Sequence, residues 1–513
     1  MLAPSSGGIA LSKTLSKTST RRFTAILITG ALASKVLGFG REVLMAKVLG
    51  ASLVADGFRG ATAAILIPLA FLQNESVPAV MIPMHRDALK GDHAPQSLAA
   101  LTVALGAVSV VLALIIEALG GLWVQAVVGG FTPEGQSLTL EFVRIMALAM
   151  PASTIINVLA AGEIALGRTR LTNIRATLLN ISVLMGIALL VMTGNVNTLA
   201  WSFSIAFNAL AAWGLFSMWR EGVLRFSGLT LASMGATGME FLRRLRPLFA
   251  LPLAEQGNIW VERVLASRLA TGAVASLDYA RTLTESALLL ISQPVGLAVL
   301  SSHRPPDPRV QIEAIARPVL ALALPASMFL VMFAPEIVRL VFFRGAFNEH
   351  ALVLTSQALR GIGFGLWAAT LGWILIRILN GAGRNFAAAV IIVAAYVVNI
   401  VVNFLTLHVF GGSASGTLLL GLGETARGLV LLAGVVTALE ARRKLLFLIF
   451  LASFPAALMV LLGWQIHENF VGTLPRLFAG GGACLVCVAL AMGLLMPTAC
   501  VAAFARVRSR FQI

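Results

Sequence analysis

From Phe23 onward the chain is a succession of long apolar runs, each ended by charge, proline, glycine or a polar cluster. A helix needs roughly 20 apolar residues to cross a bilayer, and these runs meet that length. This constrains the fold more than any other feature. In lipid every backbone N–H and C=O must be satisfied internally, which leaves helices or closed barrels. A barrel would read as alternating segments of roughly 10 residues, a pattern this sequence does not show. The expected class is therefore an all-α polytopic membrane protein. Fourteen spans are predicted, at 24–49, 57–84, 98–127, 139–166, 171–193, 197–218, 247–269, 277–301, 314–342, 352–379, 386–410, 414–439, 445–466 and 474–500.

Only 12% of the 513 residues are charged, against roughly 25% in soluble domains. The net charge of +16 would suggest nucleic acid in a soluble protein. Here the basic residues instead read as topology signals, since cytoplasmic loops are enriched in Lys and Arg. Arg86 and Lys90, the trio Arg168, Arg170 and Arg175, and the run Arg442–Lys444 all fall in alternate loops. The opposite loops at 128–138, 194–196 and 411–413 hold no Lys or Arg. Both termini are thus expected in the cytoplasm, and no nucleic-acid partner is expected. The predicted organisation is a tail at 1–22, a first lobe of six spans at 23–220 and a linker at 221–246. A second lobe at 247–440, two extra spans at 441–502 and a tail at 503–513 complete it. The Ser/Thr-rich, basic start reads as a cytoplasmic tail rather than a cleaved signal. Cys484 and Cys487 have CxxC spacing, and Cys500 follows, but all lie in apolar sequence with no nearby His. They read as packing residues, not a metal or redox site.

The rare charges repeat. "REVLMAKVLGASLVADGFR" (41–59) aligns with "ERVLASRLATGAVASLDYAR" (262–281). Arg41-Glu42 matches Glu262-Arg263, Lys47 matches Arg268, and Asp56-x-x-Arg59 matches Asp278-x-x-Arg281 after a one-residue slip. Six spans separate the copies, so both run the same way through the membrane. That makes a parallel pseudo-two-fold repeat, with two six-helix lobes and a cleft between them. Ionisable residues in mid-membrane cost ~2.5–3.5 kcal/mol each on insertion scales. They are tolerated beside water, partners or an ionic substrate. Lys35 and Glu42 share a helix face, as do Glu255, Asn258 and Glu262. Gln73, Asn74 and Glu75 just before Pro78 suggest a broken helix lining a cavity. The candidate substrate-binding residues are Lys35, Arg41, Glu42, Asp56, Glu75, Glu262, Arg263 and Arg281. Two alternatives stay open. Arg41/Glu42 and Glu262/Arg263 also fit buried structural ion pairs, and Asp56, Asp278 and Arg281 also fit interfacial loop charges.

"SKVLGFGRE" (34–42), "VLGASLVADGF" (48–58), "AVMIP" (79–83) and "LASRLATGAVASLDYARTLTE" (265–285) resemble the MurJ (MviN) lipid II flippases, within the multidrug and oligosaccharidyl-lipid exporter superfamily. The resemblance implies transport of an undecaprenyl-pyrophosphate-linked sugar, such as lipid II for peptidoglycan, across a bacterial inner membrane. Family-style cavity cations map onto Lys35 and Arg41, with Glu42 beside them, and an outer-loop acid onto Asp56. The departures are Lys35 for Arg, Glu42 for Asp, and Tyr279-Ala-Arg281-Thr282 where the family has Tyr-Ala-Asp-Arg. The second span also lacks the family's adjacent arginines after the proline matching Pro68: it reads "LAFLQNES". The implied partners are a lipid-linked oligosaccharide and the bilayer, with the protein acting as a monomer.

A lipid-linked exopolysaccharide or O-antigen unit is the alternative cargo. A drug or cation antiporter is the alternative class, but it calls for a cavity dominated by acids. An enzyme is not expected, because the longest loop, about 219–246, carries Glu221 and Glu240 with no His between them. No cofactor is expected either. No Walker-A glycine loop is present, which leaves a Na⁺ or H⁺ gradient or the membrane potential to drive transport.

Overall fold

The computed structural model describes residues 34–73, 76–90, 94–301, 308–410 and 415–497. The described residues form α-helices and no strand. The helices are α1 (34–49), α2 (Leu53–Gln73), α3 (Ser76–Ala88), α4 (Ala94–Val128), α5 (Pro133–Ala147), α6 (Met150–Ala165), α7 (Arg170–Thr193), α8 (Thr198–Arg220) and α9 (Leu231–Leu245). They continue as α10 (Ala250–Ser267), α11 (Ala273–Ser301), α12 (Pro308–Met332), α13 (Ala334–Phe342), α14 (Glu349–Gly381), α15 (Asn385–Phe410), α16 (Ser415–Ala438), α17 (Arg442–Asn469) and α18 (Thr473–Leu495).

Over the described residues, each predicted span overlaps a helix or a consecutive pair, while 24–33 and 498–500 of the first and last spans lie outside them. Ten stretches among the described residues are long and apolar enough to cross a membrane, and the α5–α6 pair, bent by 46°, would make an eleventh. The charge-bearing α1, α10 and α11 are not among them. Length and composition alone therefore do not return fourteen. The breaks have local causes. Pro151 follows the α5–α6 bend and Pro335 follows the α12–α13 junction at Phe333. α4 kinks at Leu119 (φ −111°, ψ 17°), just before Gly120-Gly121. Such interruptions persist in membrane helices where neighbours satisfy the freed backbone groups.

The chain divides into two compact units. The first is drawn from Met1–Leu44, Leu72–Ala118 and Arg144–Pro247. Its centre is α6, whose Ala152–Glu163 stretch is almost wholly buried against α3, α7 and α8. The linker expected at 221–246 contains α9, opened by a capping box between Thr230 and Ser233. Phe241 and Leu245 of α9 are buried, whereas Leu231, Met239 and Leu242 are exposed.

The second unit is drawn from Met45–Phe71, Leu119–Val143 and Leu248–Ile513. Its core joins α12 and α14–α18 around Leu320, Leu371, Leu375, Val435 and Ala452. α14 and α16 approach closely along small residues, as membrane helices do. A Cβ at Gly361 would lie 2.3 Å from the carbonyl oxygen of Leu418, and one at Gly365 2.4 Å from Thr425 Cα.

Candidate functional site

In the first unit, α1 carries the opening charges. Arg41 Nε donates to Glu42 Oε1 at 3.1 Å, and Nη2 pairs with the same oxygen. Glu42 is buried, Arg41 half-buried and Lys35 exposed. Adjacent helical residues do not face each other. Arg41 must therefore curl back to reach Glu42. The start of α1 is tied to α7, where Asn180 Nδ2 donates to the Ser34 carbonyl at 2.9 Å. Glu75 lies outside the described residues.

Four other predicted site residues come together in the second unit. Asp56, 1% exposed, accepts the backbone N–H of Gly272 at 2.6 Å and of Ala275 at 2.8 Å. It thereby caps the N-terminus of α11, where the first N–H groups have no helical partner. Gly272 permits this approach. Its φ is +91°, and a Cβ there would sit 2.5 Å from the Ala51 carbonyl oxygen. One turn along α2, Arg59 reaches Asp278 at 3.0 Å and lies over the Tyr279 ring at 4.5 Å. The Tyr279 hydroxyl donates to the Gly50 carbonyl at 2.9 Å. The two copies of the sequence repeat thus bond to each other.

Arg263 also binds Asp278, at 2.7 Å, while its Nε and Nη1 find no hydrogen-bond acceptor. Arg281 pairs with Glu262, reaches Glu424 at 2.9 Å and stands 3.8 Å from Asp278. Glu424 continues the chain of contacts to Arg427 and to Asn399, the latter at 3.5 Å. Among the described residues, Arg59, Arg263, Arg281 and Arg427 are thus linked to Asp278, Glu262 and Glu424, with Asp56 bonded nearby to backbone N–H groups. Each arginine of the network meets a carboxylate directly. The network is suited to fastening helices to one another by bonds that can be exchanged, and less to trapping a free anion.

Glu424, Arg427 and Asn399 are absent from the predicted set. The signal was available, since Glu424-x-x-Arg427 carries the only charges of α16. Intramembrane charges face a protein interior or a water-filled cavity. Asp278 and Arg59 were visible as part of the repeat but not as each other's partners.

Comparison with known proteins gives this arrangement a family. The sequence model of the lipid II flippase MurJ family matches residues 45–478, most of the chain. The chain belongs to the lipid II flippase MurJ family. Among curated relatives, the lipid II flippase MurJ of Burkholderia cenocepacia is 26% identical over 456 residues, covering 80% of this chain and 83% of that one. The probable lipid II flippase MurJ of Aquifex aeolicus is 25% identical over 351 residues, covering 66% and 68%. The solved structure of a lipid II flippase MurJ in an inward closed conformation shares the fold. Its TM-score is 0.78 at 16% identity, over 91% of this chain and 99% of that one. An inward-facing multidrug transporter of the MATE family matches more loosely, with a TM-score of 0.53 at 14% identity over 81% and 95%. That likeness is one of fold.

Proposed function

We propose that this chain is a lipid II flippase of a bacterial inner membrane, working as a monomer with both termini cytoplasmic. It carries the head group from the cytoplasmic to the outer leaflet by alternating access. Within a family of lipid II flippases, the observation that carries this reading is the bonding of Asp56 and Arg59 to residues 272–278 across the repeat. Alternating access needs two repeats held by contacts strong enough to populate one state and exchangeable enough to leave it. Hydrogen-bonded carboxylates and guanidinium pairs meet both conditions, whereas a packed apolar seam would not release.

The pyrophosphate of lipid II carries at least two negative charges. Lys35 and Arg41 are the cations assigned to it, with Glu42 releasing Arg41 as phosphate replaces the carboxylate. Arginine suits this exchange because its fork binds carboxylate and phosphate alike. The polyprenyl tail stays in lipid along α17 and α18. Gly480 is closed by the Phe333 ring, but Gly481 and Gly482 face open space. A shallow apolar recess of about 430 Å³ lies along α18 at Val486, Leu490 and Leu494. Coupling to Na⁺, protons or the membrane potential belongs to the same proposal. Glu262 is its natural reporter, since Oε1 is buried with no hydrogen-bond partner. A cation antiporter calls for a site dominated by acids, whereas this network carries four arginines.

The test uses proteoliposomes containing lipid II and a membrane-impermeant hydrolase that cuts its head group. Wild type should expose the inner-leaflet pool to the hydrolase, and Arg41→Ala should fail while remaining folded. An inner pool that stays protected with folded wild type under every imposed gradient would refute the reading. Protection of lipid II together with exposure of another pyrophosphate-linked sugar would reassign the cargo.

A further inference from the structure

Arg175 stands in the second turn of α7, well placed by sequence to be one of a trio of loop arginines. The structure separates it from the other two. Arg168 and Arg170 both bind Glu221, and Arg170 also holds Glu163 at 2.9 Å. Arg175 is half-buried and has no acidic partner among the described residues. Its Nη1 donates to Asn157 Oδ1 of α6 at 2.6 Å, and that is its one polar bond.

Asn157 is itself committed to the second span. It is 1% exposed, and its Nδ2 donates to the Leu72 carbonyl at 3.2 Å. Ser153, one turn earlier on α6, donates to Gln73 Oε1 at 3.1 Å. A neutral carboxamide relay therefore holds the Arg175 guanidinium beside Leu72 of the second span. The sequence from Gly60 to His85 contains no Lys or Arg. The cation beside Leu72 and Gln73 comes from α7 instead.

A guanidinium has five N–H donors in a planar fork, and only one bond is made here. Its remaining donors are not among the buried, unmet ones, so an anion can reach them. α7 is also the helix to which the start of α1 is tied, at Asn180 and Ser34. Arg175 and the α1 cations Lys35 and Arg41 thus stand on helices joined to each other. We propose that Arg175 binds one phosphate of a pyrophosphate group, forming a second anion subsite in the first unit, and that Asn157 is its positioning residue. For the lipid-linked form of that group, the inference rests on the flippase reading. For the anion itself it does not.

The full-length protein in nanodiscs is tested with three probes: inorganic pyrophosphate, undecaprenyl pyrophosphate and the phosphate-free undecaprenol. Wild type should be stabilised thermally by the first two and not by the third. Arg175→Gln should remove the stabilisation by inorganic pyrophosphate. It should also weaken undecaprenyl pyrophosphate binding about tenfold, equivalent to about 1.4 kcal/mol, with the ligand-free Tm unchanged. Arg175→Lys, which keeps the charge but not the fork, should retain part of both effects, and it decides the matter if Arg175→Gln does not fold. Asn157→Ala should weaken pyrophosphate binding and be partly rescued by Asn157→Gln. The inference is overturned if Arg175→Gln binds both anions as wild type does. It is equally overturned if the ligand-free Tm falls while the ligand response is intact, or if wild type responds to neither anion. If inorganic pyrophosphate acts through Arg175 but wild type ignores the lipid-linked form, the subsite stands and the flippase reading falls.

Discussion

Asp56→Asn is the most direct way to weaken the bonding between the two repeats. The carboxylate is 1% exposed and accepts two backbone N–H groups, at 2.6 and 2.8 Å. Hydrogen bonds to a charged group contribute ~1.5–3 kcal/mol each. Asparagine keeps one accepting oxygen and turns an NH₂ toward the other N–H, so one bond is lost and a buried donor is left unmet. A loss of ~2 kcal/mol or more is expected, and every 1.4 kcal/mol is tenfold. The population in which residues 53–59 separate from the start of α11 should therefore rise by about 30-fold. Ser276 is fully buried in this segment. Ser276→Cys, in a background without Cys484, Cys487 and Cys500, supplies a thiol for an impermeant maleimide. When closure is faster than reaction, the labelling rate follows the open population. Asp56→Asn should then raise that rate by about the same factor. Ala358→Cys, at a buried site in α14, is the control and should not change. Unaltered labelling at Ser276→Cys in folded Asp56→Asn would refute the reasoning. An equal rise at both cysteines would show general destabilisation instead.

Removing Arg281 leaves Glu262, 1% exposed and with no other ion-pair partner among the described residues, as an uncompensated buried carboxylate. Arg281→Gln should cost ~3–5 kcal/mol, seen as a lower Tm and yield, with recovery in the Arg281→Gln/Glu262→Gln double variant. Glu221, beyond the end of α8, has its carboxyl held below the usual glutamate range by hydrogen bonds from Arg170 and Arg168. Its folded-state pKa is depressed. Its contribution is therefore present above the ordinary value of 4.5 and is lost as pH falls through the folded value. Tm measured between neutral and acid pH should fall less steeply for Glu221→Gln, by a modest amount because exposed pairs are weak. Gly481→Trp fills open space on α18. It should slow transport of a long-tailed lipid more than of a short-tailed analogue, with equal slowing arguing for plain anchoring.

The sequence by itself determined the all-helical class, the positions of the helices and the duplicated charge motif. Each follows from rules acting along the chain: an apolar run of bilayer length must satisfy its own backbone, and a charge within one is rare enough that its recurrence stands out. Asp56, Glu262, Arg263 and Arg281 were found on that ground, and Glu424 was within reach of the same reasoning. The tertiary structure alone decided what each charge meets. Arg59 and Asp278 lie 219 residues apart, and Arg281 and Glu424 lie 143 apart. No local pattern encodes such pairings, because they depend on which helix faces pack. The arginines at 168, 170 and 175 make the same point most sharply. They are equivalent along the chain, yet two meet Glu221, whose position beyond α8 lets the loop charges cancel. The third is turned toward Asn157, a neutral residue that packing has placed over Leu72 of α2, and so keeps its charge.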